Sequence, residues 1–214
     1  MIDPALLSAF VASRICHDLV SPVSSVTSAL DLINDPNDTE MRAQAEQLLH
    51  KGATDAAVRI EFLRYAYGSM GLSDGAADIH EAKRVTEKFA ETHKPTVEWD
   101  IDTAHLSYSH ARLMMNLVLI GIDSLPRGGV LSVRIRNEAD GLMIQTVAAG
   151  TRARLNAHVT AAIAGTEPED AWSARNIQPL FAAMIAEGLG ASLTAQMTGE
   201  EEVTITAQGI RAEG

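Results

Sequence analysis

The sequence predicts an α+β protein in which an N-terminal helical hairpin precedes a domain of mixed strands and helices. Two long segments, residues 4–33 and 41–67, repeat apolar residues every three or four positions, as helices with one buried face do. After residue 77 the pattern changes to short strands that alternate with helices. We therefore predict two domains, at residues 1–70 and 78–214.

The apolar stripes of the hairpin predict that it dimerises. The first stripe is formed by Leu7, Val11, Ile15, Leu19, Val23, Val26, Leu30 and Ile33, and the second by Met41, Ala45, Leu48, Gly52, Ala56, Ile60, Leu63 and Tyr67. Residues 34–38 between them are rich in turn formers, and Asp38 or Thr39 would cap the second helix. Two antiparallel helices cannot cover both stripes, whereas two hairpins form a four-helix bundle with a shared core. We expect a homodimer.

The second domain is predicted to be an α/β sandwich. Its predicted helices cover residues 79–92, 109–125, 152–164 and 171–187, and its predicted strands cover 97–101, 130–137, 142–148, 192–197 and 202–207. The glycine-rich turn at residues 126–129 leads into a β-hairpin, and Gly188 is expected to end the last helix.

The composition excludes several functions. A net charge of -11 and a pI near 5.0 argue against nucleic-acid binding, which needs Lys and Arg to neutralise phosphates. The single cysteine, Cys16, rules out an internal disulfide, and no run of roughly 18 apolar residues indicates a membrane span. We expect a cytoplasmic protein whose partners are other proteins.

The histidines other than His17 do not predict a metal site. His105 and His110 are five residues apart, off a shared helical face, and the others, scattered among charged residues, are His50, His80, His93 and His158. We interpret these six as surface residues and predict no bound metal.

His17 is the strongest candidate for a functional residue. It lies two positions from both Ile15 and Leu19, which is about 200° around the helix, so it points away from the apolar stripe. Its neighbours on the outer face are Phe10, Arg14, Ser21, Ser24 and Ser28. Beyond His17 this face carries only small hydroxyls, so another folded protein can approach the imidazole.

Three neighbours complete the predicted site. Asp18 can orient the imidazole and raise its nucleophilicity, and Arg14 can neutralise a phosphoryl group on the ring. Pro22 lacks the N–H that would bond the Asp18 carbonyl, so it should bend the helix one turn beyond His17. The alternative interpretation is a surface histidine beside a tolerated proline.

The string from Arg14 to Val23, RICHDLVSPV, resembles the H-box of sensor histidine kinases, in which the histidine is phosphorylated. Over nearly its whole length the chain is more similar to the histidine phosphotransferases of bacterial cell-cycle relays. This resemblance implies a dimerisation hairpin followed by a degenerate domain like the ATPase domain of histidine kinases. It also implies that His17 carries the phosphoryl group and that Asp18 assists.

The resemblance further implies that the nucleotide chemistry of the second domain is lost. Asn116 matches the first asparagine of the kinase N-box, but the second is replaced by Ile120, which cannot ligate magnesium. The chain has no Asp-x-Gly-x-Gly motif, and residues 172–180 contain no glycine. Asn116 is then expected to be a core amide. We expect no cofactor on this chain and Mg²⁺ on the partner receiver domain.

The predicted function is a phosphorelay. His17 would take a phosphoryl group from the receiver domain of a hybrid histidine kinase, by resemblance one like CckA, and pass it to response regulators like CtrA and CpdR. Phe10, Arg14, Ser21, Pro22, Ser24 and Ser28 would form the docking surface. Two alternatives remain open, an autophosphorylating histidine kinase and a non-catalytic dimeric adaptor that binds receivers.

Overall fold

The structure is a computed structural model that describes residues 2–34, 41–68, 75–103 and 106–211. Its helices are α1 (Pro4–Asn34), α2 (Arg42–Tyr67), α3 (Ile79–Glu91), α4 (Tyr108–Asp123), α5 (Ala157–Ile163) and α6 (Ile177–Gly188). Its strands are β1 (Ala76–Ala77), β2 (Thr96–Asp102), β3 (Leu106–Ser107), β4 (Val130–Glu138), β5 (Gly141–Ala149), β6 (Ser192–Gly199) and β7 (Glu202–Ile210). The predicted α+β fold, with its N-terminal hairpin, is confirmed. The predicted caps Asp38 and Thr39, and His105, lie outside the described residues.

The hairpin is a close pairing of α1 and α2. The carboxylate of Asp3 caps α1, accepting hydrogen bonds from the backbone N–H groups of Ala5 and Leu6 at 2.9 and 3.1 Å. The two helices approach closely at Gly52, where an added Cβ would lie 3.0 Å from the Pro22 carbonyl oxygen. Glycine at this position therefore lets α2 pack directly against the turn of α1 that follows His17.

Helix α1 is long and apolar enough to cross a membrane by length and composition. It packs instead along α2 and touches α6, and an ion pair between Arg14 and Asp18 lies near its middle. A single such helix near the N-terminus, found by length and composition alone, is weak evidence for a membrane span.

A five-stranded sheet forms one layer of the C-terminal domain. Its strand order is β2-β4-β5-β7-β6, with β2 parallel to β4 and the other neighbours antiparallel. Alternate side chains of the central strands are buried, as expected for a sheet with one face on the core. The buried face packs against α3, α4 and α6. The short pair β1-β3 was not predicted, because strands of two residues leave no periodic pattern.

Helix α5 is shorter than predicted. The sequence favoured a helix over 152–164, whereas α5 begins at Ala157. Arg152 has a φ of 64°, which an α-helix cannot accommodate. The side chain of Asn156 then caps the helix by accepting a hydrogen bond from the backbone N–H of His158 at 3.1 Å.

Helix α6 also begins later than predicted. A helix over 171–187 was expected, but Ala171 has a φ of 57° and α6 begins at Ile177. The Asn176 side chain explains this: its oxygen accepts from the Ser173 N–H at 2.7 Å, and its nitrogen donates to the Ala171 carbonyl at 2.8 Å. This local network offers the backbone an alternative to a helix.

Two histidines interpreted as surface residues are partly or fully buried. His110 is only 6% exposed; it completes a capping box with Ser107, and its Nε2 lies 3.1 Å from the Arg211 carbonyl oxygen. His93 is half-buried, with its ring 4.5 Å from that of Phe89 and its Nδ1 3.0 Å from the Phe89 carbonyl oxygen. The surface interpretation is wrong for both, because His110 reaches the distant Arg211 carbonyl and His93 packs on Phe89 one helical turn earlier.

The C-terminal end of α2 is built into the core of the second domain. Phe62 is fully buried, and its ring stacks on that of Phe89 with centroids 3.9 Å apart. Asn116, fully buried on α4, donates to the Ala66 carbonyl at 2.9 Å and accepts from Gln178 Nε2 at 3.2 Å. The prediction that Asn116 is a core amide is confirmed. The domain limits 1–70 and 78–214 remain a prediction.

Replacing Asn116 with Ala should destabilise the protein by about 2 kcal/mol, because the Ala66 carbonyl and the Gln178 amide would stay buried without that partner. Urea unfolding measures this. The matched control is Asn137→Ala, which removes an exposed amide and should change stability little. Equal effects of the two substitutions would contradict the structural role of Asn116.

Stability should fall as the pH drops below about 6.5, because burial lowers the pKa of His93 below that ordinary value. A group with a lowered folded-state pKa binds its proton more readily in the unfolded chain, so acid favours unfolding. Urea midpoints between pH 5 and 8 should show this slope, and His93→Gln should flatten it. An unchanged slope in the variant would assign the effect to other groups.

Candidate functional site

His17 lies near the middle of α1 and faces solvent, with 71% of its side chain exposed. Its Nδ1 is 3.3 Å from Asp18 Oδ1, within hydrogen-bonding distance. Among the described residues Nε2 has no hydrogen-bond partner. The imidazole is therefore held at one nitrogen and available at the other.

Asp18 is shared between His17 and Arg14. Its second oxygen, Oδ2, accepts a hydrogen bond from Arg14 Nε at 3.0 Å, and the two side chains are only 15% and 18% exposed for Arg14 and Asp18 respectively. Sequence reasoning placed Arg14 and Asp18 beside His17, and the structure brings all three together. In the structure the Arg14 guanidinium points towards the Asp18 carboxylate and away from open solvent.

The C-terminal domain holds the far end of Arg14. Its Nη1 donates to the Arg175 carbonyl at 3.2 Å, and its Nη2 lies 3.7 Å from Asp123 Oδ2 at the end of α4. Burial by itself would lower the pKa of Arg14, but the charges of Asp18 and Asp123 outweigh it and raise that pKa. The guanidinium thus stays charged and links α1 to two segments of the second domain.

The Tyr67 hydroxyl lies close to this charged group. It is buried and has no hydrogen-bond partner among the described residues. Burial raises the pKa of Tyr67 well above its usual value; Arg14 opposes that shift, and Asp18 and Asp123 add to it. A neutral phenol therefore lies near Arg14 and the two carboxylates.

A cleft of about 630 Å³ opens beside Arg14. It is lined by Arg14, Ile120, Asp123, Ser124, Asn156, His158, Val159, Asp170, Ser173, Ala174, Arg175, Asn176, Gln178 and Pro179. Ile120, at the position where the resemblance to histidine kinases expects the second N-box asparagine, is on its wall and Asn116 is not. In the part of the chain that the structure describes, no three His, Cys, Asp or Glu side chains are grouped so that they could hold a metal ion.

Asp123 is the carboxylate of the cleft nearest to α1. Partial burial raises its pKa, Arg14 opposes that shift, and its side chain keeps 55% of its exposure, so solvent screens both effects. Sequence reasoning missed this residue. The signal was a negative charge at the last position of an apolar helix, where the helix dipole disfavours it and a cationic partner is to be expected.

The remaining predicted docking residues have different environments. Ser21, Ser24 and Ser28 are exposed along the face of α1 that carries His17. Phe10 is half-buried and borders a cavity of about 280 Å³ with Trp172 and Leu180 among its walls. Pro22 is buried within a continuous α1, so its ring is not part of the exposed face. The bend predicted at Pro22 remains a prediction.

An exposed histidine, hydrogen-bonded to a carboxylate on a helical hairpin that is joined to an α/β sandwich, defines the class of histidine phosphotransfer proteins. A family model described as the histidine phosphotransferase C-terminal domain matches residues 79–201. The chain is 30% identical over 198 residues to the protein phosphotransferase ChpT of Brucella abortus (strain 2308). The aligned region covers 92% of this chain and 93% of that protein.

A solved structure of a bacterial phosphotransferase is similar over 97% of this chain and 98% of its own, with a TM-score of 0.86 and 26% identity. The chain therefore belongs to the histidine phosphotransferase family. It is a phosphotransferase of two-component signalling that acts by histidine phosphotransfer in a phosphorelay.

Proposed function

We propose that His17 carries the phosphoryl group between receiver domains. The observation that supports this most directly is the imidazole itself, which is 71% exposed, bonded to Asp18 through Nδ1 and free at Nε2 among the described residues. In the forward step Nε2 attacks the phosphorus of a receiver's phospho-aspartate. The N–P bond forms, the acyl P–O bond breaks, and its electrons return to the receiver's carboxylate. The reverse step delivers the group to the next receiver.

The surface around His17 suits a folded partner. Ser21, Ser24 and Ser28 leave a low, polar strip that a receiver can cover without large side chains in the way. Asp18 would assist catalysis by orienting the ring, and the receiver would supply the Mg²⁺ and the aspartate. Phosphoryl transfer through a loose transition state needs mainly such positioning.

The partners follow from the resemblance to cell-cycle phosphotransferases. The donor would be the receiver domain of a CckA-like hybrid kinase, and the acceptors CtrA-like and CpdR-like response regulators. We also place this acidic chain, with its one exposed, free Cys16, in the cytoplasm. A protein with a net charge of -11 does not suit nucleic acid as a partner.

The second domain is proposed not to use ATP. Asn116, the residue that matches a magnesium ligand of histidine kinases, is fully buried and hydrogen-bonded to Ala66, Arg112 and Gln178. Ile120 presents only hydrocarbon to the cleft. These features argue against the alternative of an autophosphorylating kinase, for which labelled ATP would phosphorylate the chain directly.

The chain is further proposed to act as a homodimer. Val20, Val23 and Leu30 on α1 are 61%, 51% and 44% exposed, and Ile60 on α2 is 53% exposed. Large aliphatic side chains along one hairpin are costly to leave in water, and a second hairpin would cover them in a four-helix bundle. On α1, Val20 and Arg14 each lie about 60° from His17, in opposite directions, so this apolar edge is separate from the contact with the C-terminal domain.

The relay is tested with a radiolabelled phospho-receiver, Mg²⁺ and the purified protein. Label should move onto the wild-type chain and on to a second receiver, and His17→Ala should abolish both steps because the nucleophile is gone. The matched control is His50→Ala, which removes another exposed histidine and should transfer normally. A parallel sample contains the wild-type protein and labelled ATP, without any phospho-receiver.

Label taken directly from ATP would replace the relay with the kinase alternative. Receiver binding without any label on the wild type would favour the adaptor, as would normal signalling in cells that carry only His17→Ala.

The dimer is tested with Val23→Glu, which should yield a monomer because a charge would be buried in the bundle. Light scattering coupled to size exclusion measures the mass. Ser28→Glu adds the same charge about 140° away around α1 and should remain dimeric. A monomeric wild type, or a dimer that tolerates Val23→Glu, would contradict the proposed interface.

A further inference from the structure

We infer that the C-terminal domain positions the imidazole for phosphoryl transfer, through Asp123 and the Arg175 carbonyl acting on Arg14, and through Arg14 acting on Asp18. This inference rests on the proposed role of His17. Arg14 and Asp123 are then positioning residues that do not touch the phosphoryl group. The C-terminal domain, which we propose does not use ATP, would contribute to the transfer step in this way.

The two oxygens of Asp18 have separate partners. Oδ1 lies 3.3 Å from His17 Nδ1, and Oδ2 accepts from Arg14 Nε at 3.0 Å. Because a carboxylate is planar and rigid, fixing Oδ2 also fixes the direction in which Oδ1 points. Without Arg14 the Asp18 carboxylate would keep only the 3.3 Å contact with His17 among the described side chains, and it would be freer to rotate away from the ring.

Arg14 is in turn fixed from the second domain. Its planar guanidinium presents its N–H groups in a rigid fork, so each contact restricts the orientation of the others. Nη1 donates to the Arg175 carbonyl at 3.2 Å, and Nη2 is 3.7 Å from Asp123 Oδ2. The side chain is only 15% exposed, whereas that of Asp123 is 55% exposed. Arg14 is therefore the central link, and Asp123 is a weaker support that water screens.

The chemical consequence concerns the tautomer of His17. To donate to Asp18, the neutral ring must carry its proton on Nδ1, which leaves the lone pair on the exposed Nε2. That nitrogen is the nucleophile in the proposed step. A neutral histidine without such an acceptor favours the tautomer protonated at Nε2, and in that tautomer Nε2 has no lone pair with which to attack phosphorus. After transfer the Nδ1 proton stays in place, and the Asp18 carboxylate faces the positive charge that the phosphorylated ring acquires.

The chain offers a matched control for this arrangement. Arg84 on α3 forms a second ion pair between the hairpin and the C-terminal domain, donating to Glu61 of α2 at 2.6 Å. Arg84→Gln loosens the attachment of the two parts without changing any contact of His17, Asp18 or Arg14. A general effect of domain attachment would appear in this variant too.

The experiment combines two readouts on the full-length chain labelled with ¹⁵N-histidine. Nitrogen shifts report the tautomer of His17, and single-turnover mixing with a phospho-receiver gives the transfer rate. Arg14→Met and Asp18→Ala should both shift the ring towards the Nε2–H form and slow transfer by about 10- to 100-fold. Asp123→Asn should produce a smaller change of the same kind, and Arg84→Gln should match the wild type in both readouts.

Two results would overturn the inference while leaving the proposed function intact. The first is that Arg14→Met keeps the tautomer and the transfer rate of the wild type. The second is that Arg84→Gln changes both readouts as much as Arg14→Met does. If Arg14→Met unfolds, the comparison of Asp123→Asn with Arg84→Gln replaces it. Equal readouts in these two variants would then overturn the inference. If the wild type accepts no phosphoryl group, the proposed function fails, and the tautomers of the variants still decide whether Arg14 sets the ring.

Discussion

The rest of the structure depends on the way in which the end of α2 is embedded in the C-terminal domain. Phe62 stacks on Phe89, and Asn116 binds the carbonyl of Ala66, both in a fully buried setting. These contacts fix α2 relative to α4, and the close packing at Gly52 fixes α1 relative to α2. His17 therefore has a defined place relative to the second domain.

The same contacts bear on the proposal that the second domain does not use ATP. In a chain that needed magnesium, an asparagine at position 116 would have to point its oxygen towards the metal. Here its amide lies in a closed network with Ala66, Arg112 and Gln178, and Ile120 adds an apolar wall. The Asn116 amide thereby links α4 to the end of α2 and does not line the cleft.

His17 lies between two surfaces of α1. On one side Arg14 and Asp18 join the helix to the C-terminal domain, and on the other Val20 and Val23 are apolar and exposed. The serine strip between them carries no charge and little bulk. A receiver that approaches the imidazole meets a surface whose two borders are set by packing. Among the described residues, the charges of Arg14 and Asp18 beside the ring are paired with each other.

The sequence by itself determined the elements with strong periodicity and the residues whose role depends on near neighbours. It predicted both long helices, the strands of the main sheet, and His17 with Asp18 and Arg14, because helical spacing places those three side chains together. It failed where the cause is distant in the chain or confined to a few residues, as in the late starts of α5 and α6, the strands β1 and β3, and the burial of His93 and His110. Only the tertiary structure decided that Arg14 points to Asp123 and the Arg175 carbonyl, since these residues are separated from it by more than one hundred positions. A periodic pattern reports which side of a helix is buried, whereas packing alone decides which part of the chain buries it.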